Sequence, residues 1–174
     1  MKRIIPIVLG VLTLSTSVLA QGRGAPAPPP PLETVIKWKP ADWSYDTLRK
    51  GTNQIVCFDK SGLPGQLPFS AECTHITNLP RAAQNMKFES EPDRAKRQAA
   101  IDAAEKDGTR AKPAFGSVWY HLMGQSQEAS RTHFTIAVPG ATAQSLGLPD
   151  NPKSGGVWIM NAGTSTAHLM TPGE

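Results

Sequence analysis

The sequence is poor in the short patterns that announce catalysis. G-x-S-x-G is missing, and Gly124-Gln125-Ser126-Gln127-Glu128 lacks the closing glycine. S-x-x-K, H-E-x-x-H and G-x-x-x-x-G-K-[ST] occur nowhere. Their absence removes the usual signatures of a serine nucleophile, a zincin helix and a phosphate-binding loop. Long apolar runs are also lacking: the one mostly apolar stretch, 4–14, falls short of the roughly 20 residues that cross a bilayer. Cysteine is limited to Cys57 and Cys73, so a metal or redox role has neither a second pair nor C-x-x-C spacing to rest on. Charge of one sign is scarce too. The formal net charge is +4, too small to argue for nucleic acid. The one tight basic cluster, Arg94, Lys96 and Arg97, has Asp93 and Asp102 beside it and reads as a solvated helix face.

What is present starts at the N-terminus. Lys2 and Arg3 precede the apolar stretch, and Val18-Leu19-Ala20 supplies small residues before Gln21. This predicts a signal peptide over 1–20 and a periplasmic or secreted mature chain. Lys2 and Arg3 leave with that leader and no acid goes with them, which takes the charge from +4 to +2. Gln21, not Cys, follows the cleavage point, so no lipid anchor and no membrane attachment is expected after cleavage. Residues 21–32 form a proline-rich arm, where fixed φ and missing amide donors favour extended polyproline II. Residues 33–174 fit one globular domain. In an oxidising compartment two thiols usually pair, so Cys57 and Cys73 are expected to form a disulfide worth about 3 kcal/mol.

Hydrophobic periodicity and turn chemistry predict an α+β fold: a small antiparallel sheet with a surface helical pair and one disulfide. Strands are expected at 34–38, 52–58, 116–123, 132–138, 157–160 and 167–170. A short helix or turn is expected at 41–49, with Asp42 as its cap, and a Pro/Gly loop at 60–69. The stretch 79–108 reads as two helices. Pro80 opens the first, and Ser90 with Asp93 forms an acidic capping box for the second. Acid-before-base pairs Asp93–Arg97 and Asp102–Lys106 support the second helix, and Gly108 ends it. That helix is alanine-rich with Ile101 its one large aliphatic residue, so it should lie on the surface and bury little.

Several strings recur in a pattern. They are Trp43 with Leu48, Gly51-Thr52-Asn53 before Cys57, Cys73 beyond the Pro/Gly loop, Tyr120 to Gly124, Trp158-Ile159-Met160, and His168-Leu169-Met170 before Pro172. From about Trp38 onward the chain resembles a family of exported bacterial proteins with a Gly-Thr-Asn…Cys…Cys segment and a C-terminal His-x-Met-x-Pro stretch. The resemblance supports the Cys57–Cys73 pairing. The resemblance brings no catalytic residues with it.

Three chemistries remain open. His121-Leu122-Met123 and His168-Leu169-Met170 repeat one tripeptide. On a strand, residues i and i+2 share a face, so each string presents an imidazole beside a thioether. His121, Met123, His168 and Met170 are therefore candidate ligands for copper as Cu(I), provided that their strands adjoin. Against this stands ordinary core packing, since methionine fills irregular gaps. A hydrolase would need a serine (Ser117, Ser126, Ser130 or Ser165), a histidine and an orienting acid such as Asp150 or Glu128. The tryptophans Trp38, Trp43, Trp119 and Trp158 could form a ligand platform or anchor the core. The expectation is a non-catalytic ligand- or metal-binding module, with a small hydrolase as the alternative.

Overall fold

The computed structural model describes residues 32–171. The expected leader, and the proline-rich arm apart from Leu32, lie outside the described residues. Eight strands form one sheet: β1 (Thr34–Trp38), β2 (Tyr45–Arg49), β3 (Ile55–Asp59), β4 (Phe69–His75), β5 (Val118–Gly124), β6 (Arg131–Ala137), β7 (Trp158–Met160) and β8 (His168–Met170). Helices α1 (Leu79–Glu89) and α2 (Arg94–Lys106) lie between β4 and β5, and the one-turn α3 (Ala143–Leu146) follows β6. The strand order is β2-β1-β3-β4-β5-β6-β8-β7. Every neighbouring pair is antiparallel except β1 with β3. The class is thus α+β with a single disulfide, as expected, on a larger sheet with one parallel junction.

That junction explains Gly51-Thr52-Asn53. The chain runs out along β1, returns along β2, and must cross back to enter β3 on the other side of β1. Gly51 makes the crossing at close quarters: a Cβ there would lie 2.4 Å from both the Leu32 carbonyl oxygen and the Thr34 nitrogen. The amides of Thr52 and Asn53 both donate to the Leu32 carbonyl, at 2.8 and 3.2 Å. The Leu32 amide donates to Thr52 Oγ1 at 2.9 Å, and the Gly51 amide donates to Thr34 Oγ1 at 3.1 Å. Asn53 Oδ1 accepts from the Ile55 amide at 2.9 Å and starts β3. The tripeptide is a backbone clamp at the point where the chain enters the sheet.

One face of the sheet is covered by α1. Ala82 and Met86 pack on Ile36, Trp38, Val56, Phe58, Trp119 and Ala137, all buried. Apolar burial of this kind contributes roughly 25 cal/mol per Å². A smaller cluster of Val138, Ala141, Ile159 and Ala167 seals the β7–β8 end. Cys57 lies between Val56 and Phe58, so its side chain is on the opposite face, where it is bonded to Cys73 directly across the β3–β4 ladder. Trp38 and Trp119 belong to the core, so the tryptophans do not form a common exposed platform.

Three local expectations differ. Residues 41–49 turn and then form β2, because Trp43 takes a left-handed conformation (φ 57°) and Asp42 Oδ1 accepts from the Ser44 amide at 2.9 Å. That closes a turn into a hairpin instead of starting a helix. The strand β4 was not marked by its sequence: Ser70, Glu72 and Thr74 are its buried positions, and polar residues in the inward phase hide the usual alternation. The cap of α2 is Asp93 itself, which accepts from the amides of Ala95 and Lys96 at 2.9 and 3.1 Å. Ser90 instead donates to the Lys87 carbonyl at 2.7 Å at the end of α1. With Asp93 used as a cap and Asp102 accepting from Gln98 at 2.8 Å, neither acid makes the expected ion pair. The helix buries none of its residues, as its composition implied.

Replacing Gly51 with alanine forces backbone atoms apart, because the close neighbours are not flexible side-chain ends. Urea denaturation should show Gly51→Ala less stable by about 1–3 kcal/mol, the usual cost of overpacking.

Candidate functional site

The covered face continues past α1 into an open cavity of about 380 Å³, within the range of small-molecule sites. Its floor comes from alternate residues of four strands: Trp119, His121 and Met123 on β5, His133, Thr135 and Ala137 on β6, His168 and Met170 on β8, and Met160 on β7. Arg81 and Asn85 of α1, one helical turn apart, form one wall, and Arg110 and Pro113 extend it. His121, Met123, His168 and Met170 all line this cavity. So do His133 and Met160, which the sequence did not single out.

Strands β5 and β8 are not neighbours, since β6 runs between them. The register sorts the floor into rows, spaced about 6.8 Å apart along a strand face. His121 stands opposite His133, and the two rings stack with centroids 5.9 Å apart. Met123 is one row toward the mouth, opposite Arg131. Trp119 and Thr135 form the next row inward, and Met170 falls at their level by continuation of the β6–β8 register. His168 is opposite both Ala137 and Met160, one row further in. The four sequence-derived candidates therefore share one cavity but not one row. His133 occupies the place beside His121.

Two of the histidines are held by their Nδ1 atoms. His168 Nδ1 lies 2.7 Å from the Thr166 carbonyl. A carbonyl can only accept, so Nδ1 carries the proton and Nε2 keeps its lone pair. His121 Nδ1 lies 3.2 Å from Glu72 Oε2, and the same argument places the proton on Nδ1 there. A carboxylate or carbonyl behind an imidazole in this way fixes its tautomer and orients it as a ligand. Burial lowers the His168 pKa, and His121, His133 and Arg81 lower it further, against the hydrogen bond to Thr166.

Glu72 is 2% exposed. Lys60 Nζ reaches the same oxygen at 2.9 Å and also meets Glu89 Oε2 of α1 at 2.8 Å. Burial alone would raise the Glu72 pKa, but the hydrogen bond to His121 and the Lys60 charge outweigh it and hold the group below the ordinary carboxylate value. For Lys60, burial is likewise overcome by the charges of Glu72 and Glu89, and its pKa is raised.

The serines named for hydrolysis are engaged elsewhere. Ser117 Oγ donates to the Ala114 carbonyl at 2.6 Å and Ser130 Oγ to the Gln127 carbonyl at 2.7 Å. Ser126 Oγ accepts from the Ala129 amide at 3.3 Å, and Ser165 Oγ accepts from Arg81 at 2.9 Å. None of the four lines the histidine cavity, nor do Asp150 and Glu128. The fourth histidine, His75, bonds Thr77 and Gln54, both at 2.8 Å, and serves the turn that starts α1. Among the described residues no helix is long and apolar enough to cross a membrane, and no group of three or more His, Cys, Asp or Glu is set to hold a metal.

Two measurements check this geometry. Glu72→Ala leaves His121 without its carboxylate and Lys60 with Glu89 alone, and should cost about 1–3 kcal/mol in urea denaturation, the usual result of losing buried charged hydrogen bonds. The His168 pKa lies below 6.5 in the folded chain, so on acidification the unfolded chain takes the proton first. The stability this group contributes is complete above about pH 6.5 and is lost as pH falls toward the folded value. Denaturation midpoints measured across that window should fall less steeply in His168→Gln than in the wild type.

No family model, no curated protein and no solved structure matches this chain, so the functional reading rests on the cavity itself.

Proposed function

We propose that this is a non-catalytic binding protein, exported after removal of its leader, whose cavity takes a soft metal ion, Cu(I), at the ring edges of His121 and His133. The observation that carries the reading is the His121–His133 pair, directly opposed on neighbouring strands with stacked rings. A thioether flanks it on each side, Met123 toward the mouth and Met170 inward. Imidazole and thioether together suit Cu(I). Among the described residues no carboxylate lines the cavity, which disfavours Ca²⁺ and Mg²⁺, cations that need oxygen ligands. Glu72 supports the reading from behind His121, as an anionic partner that turns Nε2 outward. His168, two rows further in, stands outside this ligand set.

Competition between the mature protein and a chromophoric Cu(I) chelator tests the assignment. Wild type should compete at micromolar protein. His121→Ala and His133→Ala should each lose at least about tenfold in affinity, which corresponds to about 1.4 kcal/mol. Met123→Leu and Met170→Leu, made singly and together, identify the thioether and should weaken binding without unfolding the chain. His168→Gln should leave the affinity within a few-fold. Wild type that fails to compete, or His121→Ala and His133→Ala that compete as well as wild type, would overturn the proposal.

A further inference from the structure

The inner end of the cavity has a different chemistry. Arg81 is 4% exposed and Arg110 is 6% exposed, and both line the cavity. Long cationic side chains are almost never this buried unless they are paired. Yet among the described residues neither guanidinium makes an ion pair. Neutral acceptors hold them instead. Arg81 Nη1 donates to the Ala111 carbonyl at 2.8 Å and to Ser165 Oγ at 2.9 Å. Arg110 Nη1 donates to Gln84 Oε1 at 3.2 Å, and Nη2 donates to Asn85 Oδ1 at 2.6 Å. Its guanidinium carbon stands 4.9 Å from the centre of the Phe88 ring. Arg110 Nε is buried with no acceptor. Two carboxylates act on them without an ion pair: Glu105, which reaches Arg81 through the Ser165 hydroxyl and is also felt at Arg110, and Glu89, felt at Arg110.

We propose that Arg81 and Arg110 form a preorganised site for a small organic carboxylate at the inner end of this cavity. Two guanidiniums fixed by amide, hydroxyl and carbonyl oxygens keep their charge available, and planar forks suit a carboxylate. The neighbouring floor and wall are apolar, with Trp119, Pro113, Ala137, Met160 and Ala167. They offer a surface for the carbon part of such a ligand, which a bare inorganic oxyanion would leave unused. Burial and the neighbouring Arg110 push the Arg81 pKa down to about 10, so it remains cationic at neutral pH. The site stands apart from the His121–His133 pair and does not depend on a metal.

The test uses metal-free mature protein. Benzoate is titrated while the Nε–H resonances of Arg81 and Arg110 are followed by NMR. Inorganic phosphate is titrated in parallel at matched ionic strength. Saturable shifts of both resonances are expected with benzoate, with a Kd below about 1 mM, and phosphate should bind at least about tenfold more weakly. Arg110→Lys keeps the charge but loses the fork, and should weaken benzoate at least about tenfold. Because the protein is metal-free throughout, the benzoate titration reads this site separately from copper binding. The proposal is overturned if the benzoate shifts do not saturate, or if phosphate binds as tightly as benzoate. Should Arg110→Lys fail to fold, the wild-type titrations alone decide.

Discussion

Glu72 is a carboxylate on the covered face of β4, beneath α1, where an unpaired charge would be prohibitive. It stays ionised because Lys60 and His121 approach the same oxygen from two sides. Lys60 in turn grips Glu89 at the end of α1, and Gln66 and Ser70 extend the hydrogen bonding through the Pro/Gly loop. The loop, the sheet and the covering helix thus share one buried charge network. Such networks are costly to break, because removing one partner leaves another buried charge less compensated. Here the same carboxylate sets the orientation of a cavity histidine, so the packing of the sheet and the geometry of the site rest on one group.

The cavity is asymmetric along its length. Near the mouth, the imidazoles of His121 and His133 and the Met123 thioether line the floor. Toward the β8 end, two guanidiniums and the neutral His168 dominate, and carboxylates stay behind the walls. Among the described lining residues there is no carboxylate for a hard cation. A soft cation suits the histidine pair and an anion suits the arginines. The two ends would then accommodate opposite charges about two strand rows apart, with the apolar floor at Trp119 and Ala137 between them.

Much of the fold was legible because its elements carry local signals. The strands β1, β3, β5 and β6 are rich in β-branched and aromatic residues, and Pro80 and Gly108 punctuate the helices. Where local signals mislead, a tertiary contact takes over. Strand β6 is an example: Phe134 and Ile136 look like its inward face, yet Thr135 and Ala137 are the buried residues. Small side chains are needed there because α1 and the cavity lie above them, while Phe134 and Ile136 are half-buried on the opposite face. Strand β4 was hidden for a related reason, since its inward residues are polar and become acceptable only through Lys60, His121 and Asn78. The Gly51-Thr52-Asn53 string stood out as a motif, but its purpose needs Leu32 and Thr34 placed against it.

Some residue pairings were legible along the chain, chiefly an imidazole and a thioether set two apart in each of two strands. Spacing of that kind depends only on backbone periodicity, so one dimension is enough. Strand order is different, because it depends on which long-range pairings win. Only the folded sheet put β6 between β5 and β8, brought His133 opposite His121, and carried His168 inward toward Arg81. The arginines gave no sign in the sequence, since a guanidinium reads as surface until the helix and the loop that bury it are in place.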